Sequence, residues 1–164
     1  MDLDSALSGK AADGAGALEI LRDDHAEIRG LVAKYRDASG ESAHARHVLI
    51  AAIAMQADLH SRIEEAVFYP RVRCLDPDFV DRAGRDHDAI GHALRALEDL
   101  EPDQPDAAGQ LIENLLQHMQ EEEMTLFPQV ERQMAAELAE LGAALIECKK
   151  KWTRSTEDLE GPAT

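Results

Sequence analysis

The sequence predicts an all-α protein, an up-down-up-down four-helix bundle with a short extra C-terminal helix. Three observations lead there. First, one string is written twice: His60-x-x-x-Glu64-Glu65-x-x-Phe68-Tyr69-Pro70 and His118-x-x-x-Glu122-Glu123-x-x-Leu126-Phe127-Pro128, 58 residues apart. Second, a shorter string alternates with it: Asp24-His25-x-x-Ile28 and Asp86-His87-x-x-Ile90, 62 residues apart. Third, the apolar 45% of the chain is rich in Ala and Leu, and the β-branched and aromatic runs that strands prefer are missing.

The spacing of the histidines supports the topology. If antiparallel helices hold His25, His60, His87 and His118 at one depth, each midpoint between them must fall in a turn. The midpoints are 42.5, 73.5 and 102.5. The first follows Ser39-Gly40, a helix stop, and sits on Ser42, an N-cap residue type. The second lies just before Asp76-Pro77, a cap followed by proline at the first helical position. The third lands in Glu101-Pro102-Asp103-Gln104-Pro105, the clearest break in the chain.

The elements follow in order. Residues 1–16 are rich in Gly, Ala, Asp and Ser and read as a flexible N-terminal segment. The bundle domain spans residues 17–152. Helix one runs from about Ala17 to Ala38, with Leu18, Leu21, His25, Ile28 and Val32 on one stripe. Helix two covers about Ser42 to Arg73, and Pro70 is expected to kink its last turn. Helix three runs from about Pro77 to Leu100, and helix four from about Asp106 to Gln133 with Pro128 as the matching kink. A shorter fifth helix, about Ala135 to Trp152, carries Leu138, Leu141, Leu145 and Ile146 as a modest apolar stripe. Residues 153–164 read as a polar tail without structure.

Composition removes several functions. A formal charge of −16 argues against nucleic acid and against anionic membrane surfaces. No window approaches the 18 apolar residues of a membrane span, and the start lacks a signal-peptide pattern. A cytoplasmic location is therefore expected, where Cys74 and Cys148 are ordinary thiols.

Residues i and i+4 share a helix face, so each long string aims an imidazole and a carboxylate at one point. Two such faces turned together supply two His and two Glu to one buried site, and the alternating His25 and His87 add two more. Imidazole with carboxylate suits iron or manganese, and zinc less exclusively, whereas soft-metal sites use thiolates. A carboxylate has two oxygens, so Glu64 and Glu122 can each bridge two ions. Solvent, an oxo or hydroxo bridge, or a substrate would complete the coordination. Glu65, Glu123, Asp24 and Asp86 point about 100° away from their neighbours and read as supporting residues. His44 and His47 lie far from this level, and His92 lies off the face of His87; none reads as a ligand.

These residues resemble the hemerythrin-like, or HHE cation-binding, family of non-haem di-iron four-helix bundles. The resemblance covers about residues 17–150 and implies that His25, His60, His87 and His118 ligate iron while Glu64 and Glu122 bridge. The classical oxygen carriers of the family have a second histidine four residues after the first on their third helix; here that position is Gly91. Their last bridging acid is an aspartate one residue further along, a role that Glu122 takes here. The chain thus looks like the bacterial branch with four His and two Glu. That likeness implies two iron ions and redox handling of a small ligand such as peroxide, dioxygen or nitric oxide, in oxidative or nitrosative stress or iron-centre repair. A non-enzymatic iron- or oxygen-binding or sensing module is the competing expectation.

Overall fold

The computed structural model describes residues 16–98 and 105–159. Four long helices form the expected up-down-up-down bundle. Helix α1 spans Ala17–Asp37 and α2 spans Ala43–Ile63. The chain of α2 continues through a π-turn, Glu64–Phe68, into a short α3, Tyr69–Val72. Helix α4 spans Pro77–Glu98 and α5 spans Pro105–Glu121. A second π-turn, Glu122–Leu126, leads into α6, Phe127–Gln133, and α7 spans Leu138–Leu159.

Local chemistry starts and stops these elements as the sequence suggests. Ser42 accepts a hydrogen bond from the Ala45 N–H at 3.2 Å, satisfying one of the unpaired donors at the start of α2. Asp76 does the same for α4 through the Phe79 N–H at 3.0 Å, with Pro77 following it. The third expected turn and the N-terminal segment 1–15 lie outside the described residues, apart from Pro105, which opens α5.

The helices bury two apolar layers with a polar layer between them. One cluster holds Leu18 and Leu21 of α1, Phe68 and Tyr69, Phe79 of α4 and Phe127 of α6. The other holds Ile28 and Val32 of α1, Ile53 of α2, Ile90 of α4 and Ile112 of α5. Counting the π-turns and short helices that extend α2 and α5, each of the four bundle helices passes from one cluster to the other, and its histidine sits at the crossing.

Two expectations need correction. The C-terminal helix is not short: α7 has 22 residues, as many as α4, and continues through part of the expected tail to Leu159. Polar side chains do not end a helix when they can bond back to it. Thr153 Oγ1 donates to the Lys149 carbonyl and Arg154 Nε to the Lys150 carbonyl. Leu141 and Leu145, both fully buried, anchor α7 against α1, α2 and the first π-turn. Each contributes roughly 1.5–3 kcal/mol of apolar burial.

The expected proline kinks are π-turns placed just before the prolines. Pro70 and Pro128 have no N–H to give, and a proline ring clashes with the carbonyl four residues back. The chain widens one turn instead: the Tyr69 N–H reaches the Glu64 carbonyl, and the Phe127 N–H reaches the Glu122 carbonyl, each five residues back.

Candidate metal centre

All six residues singled out by the sequence meet in the polar layer. His25, His60, Glu64, His87, His118 and Glu122 are each buried. The histidines form two pairs across helices, with His25 Nε2 3.0 Å from His60 Nε2 and His87 Nε2 2.8 Å from His118 Nε2. Each glutamate reaches one histidine of both pairs. Glu64 Oε2 lies 3.2 Å from His60 Nε2 and 3.3 Å from His87 Nε2. Glu122 Oε2 lies 3.3 Å from His25 Nε2 and 3.8 Å from His118 Nε2. Ligand atoms of His25, His60, Glu64 and Glu122 fall within 4.8 Å of one another, as do those of Glu64, His87 and His118.

With the four Nε2 atoms turned inward, each Nδ1 faces a carboxylate from a different helix. Glu123 Oε1 lies 2.7 Å from His25 Nδ1, and Glu65 Oε1 lies 3.0 Å from His87 Nδ1. Asp24 Oδ2 stands 3.7 Å from His60 Nδ1, and Asp86 Oδ2 stands 3.8 Å from His118 Nδ1. An acid bonded to Nδ1–H fixes the tautomer and leaves Nε2 free to ligate. The doubled acids in the sequence motifs therefore have work of their own, each serving a ring on a neighbouring helix. Helix periodicity shows that they cannot serve their own neighbour, but it does not reveal which ring they meet.

The π-turns bring in Tyr69, which helix periodicity does not place among the candidate ligands. On an α-helix, Tyr69 would point about 140° away from Glu64. The wider turn stacks position i+5 over i, and the Tyr69 hydroxyl lies 3.4 Å from Glu64 Oε2. It donates to Glu122 Oε1 at 2.6 Å and lies 3.3 Å from His87 Nε2. Its ring stacks on His87 with centroids 5.4 Å apart, as Phe127 stacks on His25 at 5.8 Å. The hydroxyl is present in one half of the repeat and missing from the other.

The electrostatics are those of a compact cluster of opposite charges. Burial opposes a charge on His87, yet its bonds to Glu64 and Glu65 outweigh burial and raise its pKa to about 10. Burial also opposes a charge on His25, which Glu122 and Glu64 overcome, so its pKa is raised. Burial wins at His118, whose pKa is lowered. Burial pushes the Glu122 carboxyl up, but His25 and the other histidines bring it down to about 2. Burial and the charges of Glu64 and Glu122 push the Tyr69 phenol well above its ordinary range, which keeps it a donor.

Four buried atoms around this layer have no hydrogen-bond partner: Glu64 Oε1, Glu122 Oε2, His60 Nδ1 and Asp24 Oδ2. Glu122 Oε2 is close to His25 but aligned with no donor. Leaving a buried acceptor unsatisfied costs roughly 1–3 kcal/mol, more for a charged group. Inward carboxylate oxygens without donors, beside inward imidazole nitrogens, fit a metal cation.

The remaining candidates are elsewhere. His44 and His92 are exposed and His47 is half-buried away from this cluster, with His92 Nδ1 on its own helix at the Asp88 carbonyl. A side chain at Gly91 would meet the end of Arg95 at 3.5 Å. Cys74 and Cys148 are free thiols outside the layer.

The hemerythrin HHE cation-binding domain model matches residues 16–130. The chain belongs to this family. That stretch holds all four buried histidines and both buried glutamates, so this hemerythrin HHE protein carries a metal-binding cluster within an all-α bundle. It ends before α7, which lies outside the matched domain. No curated protein and no solved structure matches the chain. No helix among the described residues is long and apolar enough to cross a membrane.

Proposed function

We propose that the chain is a cytoplasmic non-haem di-iron protein that handles a small redox ligand: peroxide, dioxygen or nitric oxide. The observation that carries this reading is that each buried glutamate reaches a histidine of both pairs. His25 with His60, and His87 with His118, would each hold one ion, and Glu64 and Glu122 would span the two. Iron bound there would supply one-electron chemistry toward a diatomic or peroxide ligand. Manganese fits the same donors less well than iron in a site built for redox exchange, and zinc would leave the redox role unexplained.

The rest of the chemistry belongs to the chain. Glu123 and Glu65 hold the rings of His25 and His87 in place. The two apolar clusters keep bulk water from the layer along the bundle axis. Tyr69 holds a proton at its hydroxyl, donated to Glu122 Oε1 at 2.6 Å, and so orients that carboxylate and offers a hydrogen bond to a ligand bearing negative charge. This set of roles suits a protein of oxidative or nitrosative stress, or of iron-centre repair.

A second reading has its own observation. Lys149 of α7 bonds Asp24, which faces His60. That chain of contacts ties the centre to the outermost helix, as an iron- or oxygen-sensing module requires. Metal analysis of iron-loaded protein together with its visible spectrum separates the readings. Two irons per chain and a spectrum altered by peroxide or nitric oxide within mixing time support redox handling. Iron binding with no response to either ligand favours the sensor, and zinc alone, or one tightly bound metal, overturns the di-iron reading.

A further inference from the structure

The repeat makes the two halves of the bundle comparable residue by residue, and they differ most sharply in one place. Between α4 and α5 lies a cavity of about 450 Å³, open to solvent along Gln110, Asn114 and Gln117, with buried His118 in its wall. The corresponding groove between α1 and α2 is bridged by side chains. Where the open groove has Ala89 and Asn114, the bridged one has Glu27 and Gln56, and Gln56 Nε2 donates to Glu27 Oε1 at 3.1 Å across it. Where the open groove has Glu121, the bridged one has Ile63, fully buried in the core. Asp24, at the inner end of the bridged groove, has a side chain 9% exposed and is bound by Lys149 of α7. Its counterpart Asp86 has a side chain 44% exposed.

We propose that the α4–α5 groove is the port through which a divalent metal cation enters the centre. This rests on the metal-binding reading of the six buried residues. The chemistry of the lining selects a cation. Two carboxylates, Asp86 and Glu121, stand among amides, and among the described residues neither lysine nor arginine lines the cavity. Glu121 is steadied toward the groove by Gln117 Nε2 at 2.8 Å. Asp86 Oδ2 stands 3.8 Å from His118 Nδ1, so the carboxylate that greets the cation borders the ring whose other nitrogen faces the centre. A chain carrying a net charge of −16 draws cations toward such a mouth and turns anions away. On the opposite side, α7 packs over α1 and α2, Gln56 bonds Glu27 across the groove, and the Lys149 ammonium sits on Asp24.

The test is the rate at which the metal-free full chain takes up Co(II) or anaerobic Fe(II), read by stopped-flow absorbance, with final stoichiometry by metal analysis. The double variant Ala89→Glu with Asn114→Gln copies the bridged groove and should slow uptake about tenfold or more, with the final metal content unchanged. Glu121→Gln, which leaves the proposed ligands intact, should slow uptake several-fold, most strongly at low ionic strength. Glu140→Gln removes the same charge from an exposed site on α7 and should load at the native rate. The port is overturned if Glu121→Gln loads at the native rate, or if Glu140→Gln slows loading as much as Glu121→Gln does. It is also overturned if closing the groove slows only the response of loaded protein to peroxide, which would make the groove the path of the redox ligand. A native chain that takes up no metal would instead defeat the metal-binding reading itself.

Discussion

Each imidazole at the centre divides its two nitrogens between tasks, with Nε2 turned inward and Nδ1 facing an acid from another helix. The division predicts a graded response to mutation. Glu64→Ala and Glu122→Ala should abolish binding of a second metal. Glu65→Ala and Glu123→Ala should keep the stoichiometry and weaken affinity about 10–100-fold, as the loss of a ring-orienting acid does elsewhere. Competitive chelator titrations distinguish the outcomes, and equal losses in all four would show that the inward face is misassigned. The titrating groups also fix a pH profile for the metal-free chain. His87 rises from 6.5 to about 10, so its contribution to stability is complete below pH 6.5 and is lost as pH climbs through 10. Glu122 falls from 4.5 to about 2, so its contribution is complete above pH 4.5 and is lost as pH falls through 2. Metal-free protein should therefore be most stable between about pH 4.5 and 6.5, and lose on the order of a few kcal/mol by pH 9. Metal-loaded protein should not share that loss, because its histidines bind as neutral rings. Urea denaturation at pH 6 and pH 9, with and without metal, measures both. The six inward residues were legible in the sequence because i, i+4 spacing holds along unbroken helix. Tyr69 was not, because its place depends on a wider turn that the sequence marks only by a proline one residue later.

At the scale of elements, the two halves of the repeat have the same skeleton and different coverings. Turn chemistry at Ser42 and Asp76 was readable from residue types, and equal spacing of the histidines gave the topology. The length of α7 was harder to read, because the polar run after Trp152 resembles a tail until its side chains bond back onto the helix. That helix carries one charge inward: Lys149 meets Asp24, a carboxylate nearly removed from water. Burial opposes the Asp24 charge, while His60 and Lys149 hold its pKa below the usual range. Lys149→Met should leave that charge buried without its cation and cost about 1–3 kcal/mol, discounted from a fully buried pair because the lysine is partly solvated. Lys150→Met, which breaks an exposed pair with Glu147, should change stability by roughly 0.5 kcal/mol or less. Chemical denaturation of the two variants side by side checks the contrast.

For the whole molecule, the centre is a polar sheet inside an apolar body, and its cohesion depends on positive charge. Protons on His25 and His87 meet part of that need, and a bound cation meets it more completely. Metal at about a thousand times its dissociation constant should stabilise the fold by about 4 kcal/mol. Melting curves with and without chelator test this, and superimposable curves would show that the layer does not need a cation. The repeat has one more consequence. The Nδ1 bonds that join the halves are of one kind, a glutamate of one half holding the first histidine of the other: Glu123 to His25 and Glu65 to His87. A centre joined in this way is self-complementary. Two chains that exchanged their second halves would build two intact centres with every such bond restored, so the metal ligands cannot distinguish a monomer from a domain-swapped dimer. That choice falls to the short turn Arg73–Leu75 and its Asp76 cap, which decide whether α4 folds back on its own α2 or on that of another chain.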